Sequence, residues 1–412
     1  MIQENIKYEK YISKINGEKL RNEIRKDYRQ LCVNNEFPKA LNVHPYQIAF
    51  QNGMYDLRHR SFREGIRDTD YLTCTLDYDY EPGSDLKKTV QVMHLLKMIC
   101  NFNEEHMDYY LSILAYALLG IPHQEKSIYF LFGQSADNGK STLFNTLTSI
   151  LPIYVKSLDS RALEDSYEKK HKWIKASQGK RILWIDELRK HKGQDTSMLK
   201  KIGDGMSLDA EILYGTTETI PIHFKLFIIS NHSPTFLHDK GMENRLRVLK
   251  FRSRFRDEVE NDYSKCIFQK DRNLYEKLKG EWKHYLLDIL FNYAHQYIQN
   301  GSQLPPIPQE FEEERQDVLS GNHTFQEWFE EYYEVSEGYR YPKKLFDVEI
   351  QKEYEKQCNL PVGSVNVRDC LKSIDMYHYD KNMRFNIGDI KYRGLYLGFQ
   401  RKRDEEDMEI VN

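Results

Sequence analysis

The sequence predicts an α/β fold built on a parallel sheet, and three apolar runs predict it. Ser127 to Phe132, Arg181 to Glu187 and Phe224 to Asn231 each read as a strand buried on both faces, the pattern of a parallel sheet. Each run ends in residues fit for polar chemistry. Gly133 opens a loop after the first, Asp186 and Glu187 close the second, and Asn231 closes the third. In open α/β sheets the carboxyl ends of the strands are where ligands bind.

The first run continues as Gly133-Gln134-Ser135-Ala136-Asp137-Asn138-Gly139-Lys140-Ser141-Thr142, and a helical pattern follows from Lys140 to Ile150. Strand, loop and helix ending in Gly-Lys-Ser is the pattern of a phosphate-binding loop. Backbone N–H groups of the loop and the helix N-terminus would face the phosphates of ATP, with Gly133, Asn138, Gly139, Lys140, Ser141 and Thr142 forming the cradle. Lys140 would reach the β- and γ-phosphates, and the Ser141 hydroxyl would ligate Mg²⁺. Five residues, not four, separate Gly133 from Gly139, so the loop is one residue longer than the minimal pattern. In the second run Asp186 would complete the Mg²⁺ shell and Glu187 would polarise the attacking water. Asn231 suits contact with a γ-phosphate or its water; as a bare pattern it is also an ordinary turn residue.

Composition sets the bounds. The 412 residues are enough for two or three domains; 40% are hydrophobic and 30% charged, and the net charge is -3. No global basic character announces nucleic acid, although one face or channel can still be basic. Six scattered cysteines without a Cys-x-x-Cys pair suggest neither zinc nor a disulfide framework, and fit a reducing, cytoplasmic setting. The charged N-terminus is no signal peptide, and Leu111 to Ile121 is too short to span a bilayer, so no membrane association is expected.

In chain order, residues 1–84 form an α+β region: a charged helix to about residue 40, a strand-and-turn pair around Asn52-Gly53, and a strand from Tyr71 to Tyr80. Residues 85–122 are a helical layer with Gly120 as its cap, and 123–300 are the motor. Within the motor, Tyr167 to Lys175 is a basic run with aromatics, for which a solvated helix face is the plain reading. Ser207 to Leu213 and Thr219 to Phe224 flank Tyr214, giving a hairpin with an exposed tip. Arg245 and Arg247 precede a further apolar strand, where an arginine can stabilise charge on a transferred phosphate or simply be a surface residue. Lys283 to Ile298 is an amphipathic helix. Residues 301–309, with Pro305, Pro306 and Pro308, read as a linker. Residues 310–400 follow a winged-helix pattern: helices at Gln309 to Leu319, Thr324 to Tyr333, Pro342 to Cys358 and from Ser364 or Asn366 to Ile374, then a strand pair at Met383 to Phe385 and Tyr392 to Phe399. Residues 401–412 are a charged tail.

Taken in order, these motifs resemble the superfamily 3 helicases of the poxvirus and phage/plasmid primase-helicase type. Ile48 to Leu57 looks like the entry strand of that family's N-terminal domain, Asn138 to Thr142 like its Walker A, and Ile182 to Glu187 like its Walker B. Leu199 to Ala210 looks like its third motif, Lys225 to Asn231 like its sensor strand, Asn244 to Phe251 like its arginine-finger segment, and Lys391 to Leu397 like the close of its winged domain. The third motif departs from the pattern: Met206 follows Gly205 where the family places an acid, and Asp204 precedes it. The resemblance implies an AAA+-like ATPase with Mg²⁺, assembled as a homo-oligomeric, usually hexameric ring that holds single-stranded DNA. Lys140, Asp186, Glu187, Asn231 and Arg245 would be its catalytic set. A primase, separate or fused upstream, is the implied partner. Lys200, Lys201, Tyr214, His223 and Lys225, in and around the hairpin, are the candidate DNA contacts. An ATP-switched replication initiator that binds duplex DNA, and a P-loop enzyme acting on a small molecule, remain the alternatives.

Overall fold

A computed structural model describes residues 14, 17–33, 37, 41–42, 44–133, 137–163, 170–187, 195–211, 217–231, 240–319, 322–357, 371, 378–387 and 390–401. The chain divides into two units, Met1–Val43 with Ile66–Cys74, and His44–Gly65 with Thr75–Asn412. In the first unit the expected charged helix is α1, Glu18–Leu31, with no buried residue. In the same unit, the Asn42 side chain ties down Thr73, donating to Oγ1 at 2.6 Å and accepting from the backbone N–H at 2.8 Å.

The second unit opens with an antiparallel sheet of β1 (Gln47–Phe50), β2 (Gly53–Asp56) and β3 (Ser61–Glu64). A Cβ on Gly53 would stand 2.1 Å from the Arg63 carbonyl oxygen, so the Asn-Gly turn admits glycine alone. The strand expected from Tyr71 to Tyr80 does not form. The Asn52 side chain takes both backbone groups of Tyr80, at 2.9 and 3.0 Å, in place of a ladder partner, and Ser61–Glu64 fills the sheet instead. Two helices follow, α2 (Leu86–Ile99, capped by Asp85) and α3 (Glu104–Leu118, capped by Asn103). They part at Asn101 and Phe102, whose φ angles of 60° and 55° end α2. α3 is apolar nearly all round and buried along its length, as a helix surrounded by other elements must be. Gly120, with φ 65°, turns the chain just beyond it.

The motor alternates β4 (Ile128–Phe132), α4 (Lys140–Ile150), β5 (Val155–Leu158), α5 (Lys170–Ala176), β6 (Ile182–Asp186), α6 (Thr196–Gly203), the hairpin β7 (Leu208–Glu211) and β8 (Thr217–Ile220), β9 (Lys225–Ser230), α7 (Lys240–Glu243) and β10 (Leu246–Lys250). The five long-range strands pair in parallel in the order β10-β4-β9-β6-β5. Alternate residues feed two cores. Tyr129, Leu131, Trp184, Phe227 and Leu249 face the core shared with α2, α3 and α4, while Phe130, Phe132, Leu183, Ile228 and Val248 face the core over α6 and the hairpin. Each such side chain contributes about 1.5–3 kcal/mol by burial, so both halves of the chain's middle depend on this one sheet.

Beyond β10 lie a parallel two-stranded ribbon, β11 (Arg254–Arg256) and β12 (Ile267–Gln269), then α8 (Leu274–Lys279), α9 (Lys283–Gln299) and α10 (Gln309–Leu319). The proline segment lies along the body: Leu304 to Ile307 line a cavity of about 400 Å³ with Tyr109, Tyr116 and Tyr297. α10 then covers the edge strand β10. Arg315 donates to the carbonyls of Leu246 (3.1 Å) and Glu243 (2.6 Å), and Lys250 pairs with buried Glu314. An edge strand covered in this way offers no free ladder to another chain. α11 (Asn322–Tyr332), β13 (Tyr333–Pro342), α12 (Lys343–Gln357), β14 (His378–Ile387) and β15 (Ile390–Arg401) complete the chain, the strands antiparallel in the order β13-β15-β14. The helix expected from Ser364 or Asn366 lies outside the described residues except at Leu371, as does the tail beyond Arg401.

Candidate active site

The carboxyl edge of the sheet gathers the residues expected there. Gly139, with φ 83°, ends the loop and caps α4, which turns Lys140 inward. Lys140 is 1% exposed, and its Nζ has no hydrogen-bond partner among the described residues. Burial pushes its pKa down to about 8, against the pull of the Glu187 and Asp186 carboxylates. Gly133 makes room for this ammonium: a Cβ there would meet the Asn138 amide at 2.3 Å and Lys140 Nζ at 2.5 Å. Residues 134–136 lie outside the described residues. Thr142 is in the first turn of α4, where its carbonyl accepts from the Thr146 hydroxyl.

Ser141 Oγ donates to Asp186 Oδ1 at 2.9 Å, across from α4 to the end of β6. Hydroxyl and carboxylate oxygens at that spacing suit the hard-oxygen preference of Mg²⁺. Glu187 leaves the strand with φ 59°, a costly conformation for a residue with a side chain. Its N–H bonds the Ile229 carbonyl at 2.9 Å, and its carboxylate accepts from Ser230 Oγ at 3.1 Å and the Asn231 N–H at 3.4 Å. The turn therefore aims an acid across the mouth of the site and ties it to the end of β9.

Other expected residues fall elsewhere. Arg245 stands at the opposite edge of the sheet, where its carbonyl accepts from the Ile128 N–H at 2.7 Å. Its guanidinium grips Asp204 with two bonds, of 2.9 and 2.7 Å, which holds the Asp204 carboxyl below the usual range. Arg247 sits within β10, not ahead of it. Lys225 is a correction: it is fully buried, with Nζ donating to the carbonyls of Ile121 (3.0 Å) and His223 (3.3 Å) and lying 4.7 Å from the Tyr116 ring centre. Its ammonium does not face a nucleic-acid strand. His223 is half-buried, and burial followed by the charge of Lys225 lowers its pKa. Lys200 and Lys201 end α6, the second of them exposed. The hairpin forms between Leu208–Glu211 and Thr217–Ile220; its tip with Tyr214 lies outside the described residues. The basic run is partly α5, whose Lys175 pairs with Glu218 on β8.

Sequence reasoning missed the ribbon. Phe255 N–H donates to the Asp137 carbonyl at 2.8 Å, and the Lys270 ammonium meets the Asp137 carboxylate at 3.0 Å. Three-residue strands carry too short a pattern to read. Among the described residues no helix is long and apolar enough to cross a membrane, and no cluster of His, Cys, Asp or Glu could hold a metal ion.

A family model described as D5 N terminal like matches residues 1–100. "Putative helicase L207/L206" of Acanthamoeba polyphaga mimivirus is 30% identical over 307 residues, which is 71% of this chain and 31% of that protein. "Putative helicase 184R" of Invertebrate iridescent virus 6 is 27% identical over 56% of this chain and 25% of its own length. The chain thus spans a third or less of these relatives. A solved structure, the A form apo structure of the NrS-1 C terminal region, covers 86% of this chain and 83% of its own at 11% identity and TM-score 0.38, an overlap too loose to carry a relationship. A D5-like segment over residues 1–100 and viral relatives named putative helicases agree with the resemblance to the superfamily 3 helicases of the poxvirus, phage and plasmid primase-helicase type.

Proposed function

We propose that this chain is the ATP-driven motor of a viral DNA-replication helicase that moves on single-stranded DNA as a ring. The observation that carries the ATPase reading is Lys140, a buried ammonium without a hydrogen-bond partner among the described residues, set beside the Ser141–Asp186 pair. An unpaired buried cation is costly, and a triphosphate supplies the missing acceptors. Lys140 would take the β- and γ-phosphates, with backbone N–H groups at the start of α4 beside it. Ser141 and Asp186 would hold Mg²⁺, which when bound neutralises charge on the phosphates. Glu187 would accept a proton from the attacking water, oriented through Ser230 and Asn231.

Ring assembly is supported by the place of Arg245. It lies five strand residues from the loop end of the sheet, roughly 16 Å at about 3.3 Å per residue, and so serves a neighbour's phosphates better than its own. The hairpin β7–β8, with α5 and Lys201 beside it, is the surface proposed for the DNA strand. The C-terminal helices and three-stranded sheet are proposed as a winged domain. A replication initiator that uses ATP as a switch has the same site; strand displacement on a tailed duplex separates the two.

The test of the motor reading is Glu187→Gln. ATP binding should stay within about twofold of the parent, because the metal pair and Lys140 are untouched. Turnover should fall on the order of 10²–10⁴-fold with the loss of the base. Normal turnover in Glu187→Gln would remove Glu187 from the mechanism.

A further inference from the structure

Asp137 is an odd residue for a phosphate loop. It lies in a loop one residue longer than the minimal pattern and two residues before Gly139, and it puts a carboxylate where a polyanion is to bind. Its φ is 60°, left-handed for a residue with a side chain. Two groups, one in the ribbon and one just past its second strand, hold it there. The Phe255 N–H donates to its carbonyl at 2.8 Å, and Lys270 meets its carboxylate at 3.0 Å. Lys270 is itself placed by its N–H bond to the Arg256 carbonyl at 2.8 Å.

The ribbon grips the next glycine too. A Cβ on Gly139 would lie 3.4 Å from the Phe255 ring and 3.0 Å from the Ile99 side chain, so the loop is wedged between β11 and the end of α2. The ribbon is fixed to the same corner from its other side. Asn101 accepts from the Arg252 N–H at 3.1 Å and from the Ser253 hydroxyl at 3.0 Å, and Phe102 packs on Phe268 with ring centres 5.7 Å apart.

We infer that Lys270 is a positioning residue of the nucleotide site: it holds Asp137 in its left-handed turn and cancels a carboxylate that would otherwise repel the phosphates. The inference rests on the phosphate-loop reading above. Asp137 and Lys270 are both exposed, 58% and 40% by side chain, so their pairing adds little to the stability of the fold. Its effect is on where the Asp137 carboxylate is held, and the repulsion of a released carboxylate scales with the charge of the ligand.

The experiment is a double-mutant cycle read by calorimetric titration of the full chain with MgATP, MgADP and AMP. Lys270→Met should weaken ATP binding about fivefold at low salt, ADP less and AMP least, and the loss should shrink as salt is raised. Lys270→Arg should restore the parent affinity. In an Asp137→Asn background, Lys270→Met should change ATP affinity by less than about twofold, since no acid remains to be cancelled. An equal loss in both backgrounds, an equal loss for ATP and AMP, or an unchanged affinity in Lys270→Met would each overturn the inference and leave the phosphate-loop reading standing. A parent chain that binds none of the three nucleotides would instead overturn that reading itself.

Discussion

Two lysines are buried at opposite ends of the central sheet. Lys140, at the carboxyl edge, is 1% exposed, and Lys225, at the amino edge, is 0% exposed. Burial lowers both pKa values, to about 8 and about 7. Lys225 spends its protons on the carbonyls of Ile121 and His223 and rests on the Tyr116 ring. Lys140 has a ring, Phe251, at 5.6 Å but no acceptor among the described residues. The difference separates architecture from function. A buried cation with its hydrogen bonds made braces the strand it starts, whereas one without them is the place where the proposed nucleotide would supply acceptors.

The comparison is most exposed to Lys140→Met. This variant should lose ATP binding and, with it, all measurable hydrolysis. Its melting temperature without nucleotide should hold or rise, because an uncompensated buried charge has gone. The parent should melt higher in excess ATP, and the variant should not. A variant that melts lower than the parent without nucleotide would mean that Lys140 is architecture as well, and the contrast with Lys225 would fail.

Arg245 sharpens the contrast because it stands at the same end as Lys225 and is fully paired, yet is assigned a catalytic part. Arg245→Ala should bind ATP and hydrolyse it about 10³-fold or more slowly, the lower end of what such an arginine contributes. For Arg245 to act as proposed, it would have to leave Asp204. Mixing supplies the check. Arg245→Ala subunits keep the loop, and Lys140→Met subunits keep the arginine. Once co-assembly is shown, the mixture should hydrolyse ATP faster than either variant alone. Co-assembly without that gain would return Arg245 to architecture beside Lys225.

The sequence carried the sheet and its loaded edge because both are local signals. The apolar runs alternate faces as a doubly covered strand must; Asp186 ends its strand, Glu187 follows it directly, and Lys140 and Ser141 come one loop after theirs. The amino edge was less legible. Lys225 looks identical in sequence to a DNA-binding lysine; only the carbonyl of Ile121, 104 residues away, makes it structural. The strand expected at Tyr71 to Tyr80 failed for the same reason, since the partner that displaces it, Asn52, is remote. The brace on Asp137 comes from Phe255, in a strand too short to leave a pattern, and from Lys270, just past another such strand. What was missed in each case is a contact between distant residues whose individual identities are ordinary.

The smallest effect tests Lys225 itself, through pH. Its ordinary pKa is 10.5 and its folded value is about 7. Above 10.5 the amine is neutral in both states and folding carries no penalty. Between 7 and 10.5 the unfolded chain holds the proton and the folded chain does not, so stability rises with pH; below 7 both are protonated and the penalty is constant. Lys140 has the same sign but acts only from about pH 8 upward. The buried histidines, with pKa values depressed from 6.5, have finished by pH 7. Cys100, whose thiol burial pushes up, acts with the opposite sign only near its ordinary value of 9.0 and above. Of the two lysines buried in the sheet, the interval from pH 7 to 8 therefore belongs mainly to Lys225. Unfolding free energy measured in urea should climb there by up to about 1.4 kcal/mol per unit in the parent. Lys140→Met should keep that slope and Lys225→Met should lose it, with affinity for single-stranded DNA unchanged in Lys225→Met. If Lys225→Met kept the slope and bound DNA more weakly, the lysine would be reaching the strand after all, and the two ends of the sheet would not differ in the way their hydrogen bonds indicate.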